Sequence, residues 1–320
     1  MKHPTRILAL LAGALSLTPQ LASAATVVWS GTAADKLWSN TGNWSAAKPT
    51  SADDVVFGNL DTNTATSGPA GVNNSIVDTS FTSAIKSLRI TNTAGFHNIR
   101  TTNNITITGS GTGNSLFVGT DMLGPNYNQT VYATVSGPAA LTVTKTSGFF
   151  RIGQGTNGTG GATSARATLD LSGLDIFSAR VSGFYIAVSA DATESAKWNR
   201  PNAYVYLART NYITCTTHLL SEAYNNNGNT SLERLGQENY FNVDSFQVGE
   251  RKGRALFDFN SAWPNPTARF RNTAGTGRSA WYIGTDSGAT GSGATISTMD
   301  LSRGTVDALV GTMYVGQSQG

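Results

Sequence analysis

The chain has 320 residues, of which 39% are hydrophobic and 13% charged, with a formal net charge of +3. Soluble domains average roughly 25% charged residues, and Gly, Thr, Ser and Asn fill the difference here. The regular alternation of apolar residues excludes a highly charged disordered chain, while 35 glycines and many asparagines disfavour long helices. We therefore predict an all-β protein with many short strands and turns.

Residues 1–24 have the pattern of a cleaved secretory signal peptide. Lys2 and Arg6 precede an apolar run over residues 7–17, and the small residues 22–24 match a signal-peptidase site. The alternative is a membrane anchor, but this run is shorter than the ~20 residues that span a bilayer. Because no later stretch is long enough either, we expect no transmembrane segment in this chain and a secreted or cell-surface location.

The charge and cysteine content narrow the class further. Cleavage of the signal leaves 20 basic and 19 acidic residues, without the clustered basic face that a nucleic-acid-binding protein needs. Cys215 is the only cysteine, so no disulfide can form within the chain. An exported protein that depends on packing and hydrogen bonds instead is typical of bacteria.

Half of the six tryptophans lie close together near the amino terminus. Trp29, Trp38 and Trp44 alternate there with Ser, Thr, Asn and Asp. Such a stretch suits a cover over the open end of a stacked structure, apolar inward and polar outward. We predict a cap with the first strands over residues 25–85; a stacking platform for sugars is the alternative.

A short element recurs along the rest of the chain. Its copies are LFVG at 116–119, FRIG at 150–153, YIAV at 185–188, FQVG at 246–249, YIGT at 282–285 and YVGQ at 314–317. Their central small residues are spaced by 34, 34, 62, 35 and 32 residues. The 62-residue gap is close to two periods, and the degenerate HLLSEA at 218–223 lies where the missing copy is expected.

A second element precedes the first at a nearly constant distance, as in ATLDLSG from Ala167 and STMDLSR from Ser297. Alternating apolar residues in both elements predict short strands with one buried face. Strands that repeat every ~34 residues bury that face by stacking. We predict a right-handed parallel β-helix over residues 86–320, continuing beyond the end of this chain; the alternative is an antiparallel β-sandwich.

Two stretches, 189–202 and 221–242, interrupt the period and are predicted to project as loops, with one helical turn at SLERLGQ. Insertions of this kind are binding sites or neutral excursions. If they bind, the aromatic candidates for stacking on a glycan are Trp198, Tyr224 and Tyr240. The carboxylate candidates are Glu233 and Glu238, in a loop charge group that also contains Glu222 and Arg234.

Motifs for metal or nucleophilic chemistry are sparse. His97 and His218 have no partner at the spacing of a metal motif, so no metal or cofactor is expected. Cys215 lies in the alternating YITCTT and is predicted to be a buried strand residue. Asp170 and Asp300 hold equivalent repeat positions, as do Asp121 and Asp286, which favours carboxylates that cap turns.

The first strands and the later repeats together resemble one family. The order Trp29-x-Gly31, Trp38, Asn43-Trp44, Pro49, Asp54 and Phe57, followed by AIKSLRI at 84–90, is similar to the opening of bacterial autotransporter-associated β-strand repeat proteins. LTVTKTSGFFRIGQG at 141–155 and STMDLSRGTVDALVGTMYVGQ at 297–317 resemble the repeats of their passenger regions. The resemblance implies an exported, surface-associated β-helix, here without a C-terminal translocator, and we expect an N-terminal part of a longer protein.

These observations predict a structural or adhesive segment of an exported bacterial surface protein, and not an enzyme. The alternatives are a polysaccharide-degrading β-helix, either a lyase or a glycoside hydrolase, and a glycan-binding module. The expected partners are a cell-surface glycan or matrix polysaccharide, together with self-association end to end or laterally. No nucleic acid is expected among them.

Overall fold

The computed structural model describes residues 25–63, 73–82, 84–109, 113–120, 129–155, 165–189, 201–223, 229–285 and 296–317. Within these ranges the chain is all-β, as predicted, and its helical structure is confined to a 3-10 turn at Thr41–Asn43. The strands in chain order are β1 (Thr26–Val28), β2 (Asp54–Phe57), β3 (Ser75–Val77), β4 (Ser87–Ile90), β5 (Phe96–Thr101), β6 (Ile105–Ile107), β7 (Asn114–Val118), β8 (Val131–Val143), β9 (Phe149–Ile152), β10 (Ala167–Asp170), β11 (Leu174–Arg180), β12 (Gly183–Val188), β13 (Ala203–Tyr206), β14 (Thr210–Ala223), β15 (Thr230–Leu235), β16 (Glu238–Arg251), β17 (Arg254–Phe259), β18 (Thr267–Arg271), β19 (Ser279–Thr285), β20 (Ser297–Asp300), β21 (Thr305–Ala308) and β22 (Val310–Val315).

The strands pair in parallel into three stacks. Stack A contains β1, β2, β4, β7, β9, β12, the second parts of β14 and β16, β19 and β22. Stack B contains β3, β5, the first part of β8, β10, β13, β15, β17 and β20. Stack C contains β6, the second part of β8, β11, the first parts of β14 and β16, β18 and β21.

From β4 onward the chain visits stacks A, B and C in turn, and each visit to a stack adds one strand beside the previous one. We call one such passage a level. The result is a large parallel sheet of many strands, compatible with a β-helix or solenoid, and its parallel pairing excludes the antiparallel sandwich. β2, which lies in the predicted cap region, pairs with β4, which begins two residues after the predicted end of that region at residue 85.

One core lies between the three stacks. Phe246 of stack A lies 5.1 Å from Phe257 of stack B and 5.3 Å from Phe270 of stack C, measured between ring centroids. The alternation that predicts strands is present in the burial of β17 and β19, where every second side chain is buried. Inward-facing side chains of successive levels lie directly above one another, so the apolar repeat in the sequence becomes continuous columns in the core.

The missing copy of the repeat is confirmed. Ser221 lies at a left-handed φ of 65°, between Ala187 at 54° and Gly249 at 74°, and Gly284 and Gly316 continue the series at 63° and 65°. The left-handed residues are skipped in the strand pairing: Ile186 pairs with Leu220, and the next pair joins Val188 to Glu222. The same gap recurs in the pairing of the following levels. From Ala187 onward, the small residue of the repeat therefore lies where the backbone adopts a left-handed conformation.

Two members of this column are not glycine, which predicts a stabilising substitution. Ala187→Gly is expected to raise the free energy of unfolding by about 1 kcal/mol, because a left-handed conformation costs an L-residue roughly 1–2 kcal/mol. Ala179→Gly is the matched control, since Ala179 is a buried residue of β11 with ordinary strand geometry, and it is expected to destabilise. Chemical denaturation measures both; equal losses for the two variants would contradict the explanation.

The predicted loop at 221–242 is wrong. Its residues belong mainly to β14, β15 and β16, and the first five residues of SLERLGQ, 231–235, lie in strand β15 and not in a helical turn. The level beginning at β14 is short, with an offset of 28 residues from Leu220 to Val248, so a shorter period was mistaken for an insertion. Of the first predicted loop, residues 190–200 lie outside the described part of the chain.

The three amino-terminal tryptophans are buried and pack together on the first levels. Trp38 contacts the rings of Trp44, Phe57 and Phe81 at centroid distances of 5.2–5.8 Å. Trp29 donates its indole N–H to Asp61 Oδ2 at 2.9 Å. Because Trp29 and Trp38 have no exposed surface, they do not offer the sugar-stacking platform that was the alternative.

Candidate functional site

The structure separates the predicted site residues. Trp198 and Tyr224 lie outside the described residues, as do Asp121 and Asp286. Glu233 lies in β15, whereas Glu238 and Tyr240 lie in β16. The three are therefore strand residues, and they divide between the core and the outer surface.

Glu233 is a core residue. It pairs with Val205 on one side and Phe257 on the other, in an inward column of stack B that also contains Leu169 and Met299. Its side chain has no exposed surface. A carboxylate at this position cannot reach a substrate from solvent, and it must be compensated from within the core.

His218 supplies that compensation. It has no exposed surface, and its Nε2 lies 3.2 Å from Glu233 Oε1 and 3.0 Å from Oε2. His218 occupies a phenylalanine column of stack A, with its ring stacked between Phe184 at 5.2 Å and Phe246 at 4.4 Å. The pair joins stacks A and B within one level and is surrounded by apolar residues.

Cys215 lies close to Glu233 and is poorly suited to act as a nucleophile. Burial, with a smaller contribution from the nearby Glu233 carboxyl, raises the pKa of the Cys215 thiol far above its ordinary value. The prediction that Cys215 is buried is confirmed. In the described part of the chain no three His, Cys, Asp or Glu side chains are grouped so that they could hold a metal ion.

His97 is also a core residue. It lies in the same inward column as Glu233, several levels nearer the amino terminus, and its Nε2 bonds to the Gly58 carbonyl oxygen at 2.8 Å. Burial lowers the pKa of His97, only partly opposed by the Gly58 hydrogen bond and Asp61. These contacts support a structural role for His97, and because its side chain is fully buried, it cannot bind a ligand from solvent.

The repeated aspartates cap turns. Asp170 Oδ1 accepts hydrogen bonds from the Ser172 backbone N–H at 2.9 Å and its hydroxyl at 2.6 Å. Asp300 Oδ1 accepts from the Ser302 backbone N–H at 3.0 Å, and hydrogen bonds from Ser302 hold the pKa of Asp300 below its ordinary value. Both aspartates lie in one outward column of stack B, as the repeat predicts, but three levels of other residues separate them.

Glu222 and Arg234, which the sequence analysis places in a loop, lie instead in the repeating strands β14 and β15. Glu222 follows the left-handed residue of its level and accepts a hydrogen bond from Arg251 Nε at 2.8 Å. Arg234 lies 3.4 Å from Asp258 on the outer face of stack B. These pairs link successive levels of the parallel sheet, so each of these charges is compensated by a neighbouring level.

A groove of 510 Å³ on the outer face of stack A also contains charged groups. Asp54 lies in it and binds Lys86 Nζ at 2.6 Å and the Ser87 hydroxyl at 2.5 Å. Arg89 lines the same groove and stacks over the Phe117 ring at 5.1 Å. Since Asp54 is paired with Lys86 and Arg89 stacks on Phe117, the groove is a weaker candidate than the aromatic surface of stack C.

That aromatic surface contains Glu238 and Tyr240. Tyr240 stacks on Tyr212 of the preceding level, with centroids 5.0 Å apart and ring planes 8° from parallel. The same outward column continues to Ser178 on one side and Arg269 on the other. Tyr212 was missed from the sequence, although it lies 28 residues before Tyr240, the offset of its level.

We call the outer face formed by Ile176, Ser178, Arg180, Tyr212 and Tyr240 the tyrosine step. Ile176 and Tyr212 are exposed by 41% and 46%. Arg180 is exposed at the end of β11. Side chains that are apolar, aromatic and charged meet here in solvent, on strands whose backbone positions are fixed by pairing on both sides.

No described helix is long and apolar enough to cross a membrane. Comparison with family models, with curated proteins and with solved structures gives no match to this chain.

Proposed function

We propose that the chain forms a right-handed parallel β-helix, closed at its amino-terminal end by Trp29, Trp38 and Trp44, and serves as a structural or adhesive segment of an exported bacterial surface protein. The observation that carries this proposal is the continuous core. One inward column of stack A is buried through nine paired levels from Val27 to Trp281, and Met313 continues it at a tenth level. Such an array suits a long, stiff element with a large lateral surface.

The distribution of charge supports a structural role in preference to catalysis. Glu233, one of the two carboxylate candidates for the alternative of a polysaccharide-degrading enzyme, is buried with His218, whereas the other, Glu238, faces outward on stack C. A glycosidase needs two carboxyl groups roughly 5–10 Å apart on either side of a substrate. Glu233 and Glu238 face different sides of the strand layer, and they do not form such a pair.

Deletion of the coding region from the producing bacterium tests the proposal. Antibodies raised against residues 25–320 are expected to label intact wild-type cells. Deletion is expected to reduce the adhesion of the cells to the surface on which they are tested. Complementation with the wild-type gene restores attachment, whereas Phe246→Asp, which places a charge in the core, does not. Unlabelled cells with unchanged attachment would contradict the proposal, as would release of new reducing or unsaturated ends from polysaccharides by the purified chain.

A further inference from the structure

The tyrosine step contains an unusual pair of neighbours. Across β11 and β14, Ile176 pairs with Thr210, and Ser178 pairs with Tyr212. Ile176 and Tyr212 are therefore diagonal neighbours on one face. Few other large apolar side chains in the described structure are exposed. They are Leu60 and five residues in or next to the last strands, β20, β21 and β22. An exposed apolar cluster in the middle of a regular polar face indicates a binding surface.

One face of the Tyr212 ring is available. Tyr240 stacks on the opposite face at 5.0 Å. The next level on the available side has Ser178 in the same column, and the two levels beyond it have Thr142 and Thr106. Because neighbouring strands lie about 4.8 Å apart, the small Ser178 side chain leaves a step about one ring thick beside Tyr212.

The surroundings of the step are polar. Thr210 and Thr214 flank Tyr212 on its own strand, and Arg180 lies two residues after Ser178 on the same outer face. The step thus has an aromatic wall, a hydroxyl floor and a cation at one side. A protein partner would favour a more apolar floor, since the buried centre of a protein interface is depleted in charged residues and richer in apolar area.

We propose that the tyrosine step binds a pyranose ring of a polysaccharide, stacked on the open face of Tyr212 above Ser178. The C–H groups on one face of a pyranose carry partial positive charge and pack against the negative face of an aromatic ring. The ring hydroxyls reach Thr210, Thr214 and Arg180 at the edge of the step. This inference rests on the adhesive role proposed above and gives that role a ligand class.

Titration of the purified chain 25–320 with cellohexaose, chitohexaose and hexagalacturonate, followed by calorimetry, tests the inference. At least one saccharide is expected to bind the wild type, and Tyr212→Ser is expected to weaken that binding about tenfold or more, the size of one lost aromatic contact. Tyr314→Ser is the matched control, because Tyr314 also stacks on a tyrosine, Tyr282, at 5.5 Å but on stack A. The Tyr314→Ser variant is expected to bind the saccharide with the same affinity as the wild type.

A second variant tests the geometry without removing the tyrosine. Ser178→Tyr would extend the column of stacked rings and fill the step, so binding is expected to be lost while the chain stays folded by circular dichroism. Binding that is unchanged in Tyr212→Ser, or tighter in Ser178→Tyr, would overturn the inference. Absence of binding to every saccharide would also overturn it, as would binding of an aromatic peptide alone. Because cell attachment is measured separately, either result leaves the test of the proposed function intact.

Discussion

Replacing His218 by Phe and Glu233 by Val together is expected to leave the protein at least as stable as the wild type, although each replacement alone destabilises it. Phe at 218 continues the column of Phe184 and Phe246, and Val at 233 repeats Val205. Replacement of a buried polar or charged pair by apolar residues of similar volume is often neutral or stabilising by about 1–4 kcal/mol.

The single variants differ in what they leave behind. His218→Phe leaves the Glu233 carboxyl buried without its partner, which costs about 3–5 kcal/mol. Glu233→Val removes the partner of His218 Nε2, and an unpaired buried polar group costs about 1–3 kcal/mol. Chemical denaturation of the four proteins in a double-mutant cycle measures the coupling between the two side chains.

A control isolates the effect of pairing from that of a buried carboxylate. Val205→Glu places a second carboxyl one level away in the same column, where the stack A side chain of that level is Phe184 rather than a histidine. It is expected to destabilise by several kcal/mol, like other unpaired buried charges. If His218→Phe alone matched the stability of the double variant, the proposed pairing in the core would be contradicted.

Trp38→Ala is expected to destabilise the first levels by about 3–5 kcal/mol, the usual cost of removing a buried large aromatic side chain. Trp38 is fully buried and contacts Trp44, Phe57 and Phe81. Each level of a stacked protein contacts only its neighbours, so the loss is expected to remain local. Hydrogen exchange should accelerate in β1, β2 and β4 and remain unchanged in β15–β19.

Trp263 provides the matched control for this prediction. It is only partly buried and lies in a turn between β17 and β18. Trp263→Ala is expected to cost much less than Trp38→Ala and to leave exchange in the first levels unchanged. Uniform acceleration throughout the chain in Trp38→Ala would show that the levels unfold as one cooperative unit, contrary to the prediction.

The recurring strands were predictable because the same short element returns at a nearly constant spacing along the chain. A small residue recurs where the backbone turns left-handed, so Gly249 and Gly284 mark equivalent points even when the apolar residues around them vary. Ser221 and Ala187 are harder to recognise, since both residue types are common elsewhere in strands. The position of the missing copy was nevertheless correct, because the spacing of its neighbours required one.

The loop prediction failed where polar residues face inward. Ser231 and Glu233 are buried in β15, so the alternation that marks a strand is hidden there. Charge was taken as a sign of exposure, but Glu233 is compensated by His218, whose contact with it depends on folding. A histidine that replaces phenylalanine in an aligned repeat column was the available signal for this pair.

The tyrosine step needed the register as well as the repeat. Tyr212 and Tyr240 are both visible as aromatic residues, and only the 28-residue offset of their level places one above the other. Neither the open ring face nor the small Ser178 beside it follows from residue spacing alone. The sequence therefore identified Tyr240 as a candidate, but in a loop and without its partner.

Distances along one outward column test the architecture most directly. Thr106, Thr142, Ser178, Tyr212, Tyr240, Arg269 and Asp307 occupy successive levels of stack C. Spin labels on cysteines at 106 and 269 should lie five strand spacings apart, or about 24 Å, and labels at 106 and 307 about 29 Å apart. Cys215 is buried and should not react.

Double electron–electron resonance on these two label pairs measures both distances. An increase of about 5 Å for one added level, although the second pair is separated by 38 more residues, is the result that the stacked architecture predicts. Equal distances, a shorter distance for the 106 and 307 pair, or an increase of several strand spacings would contradict it.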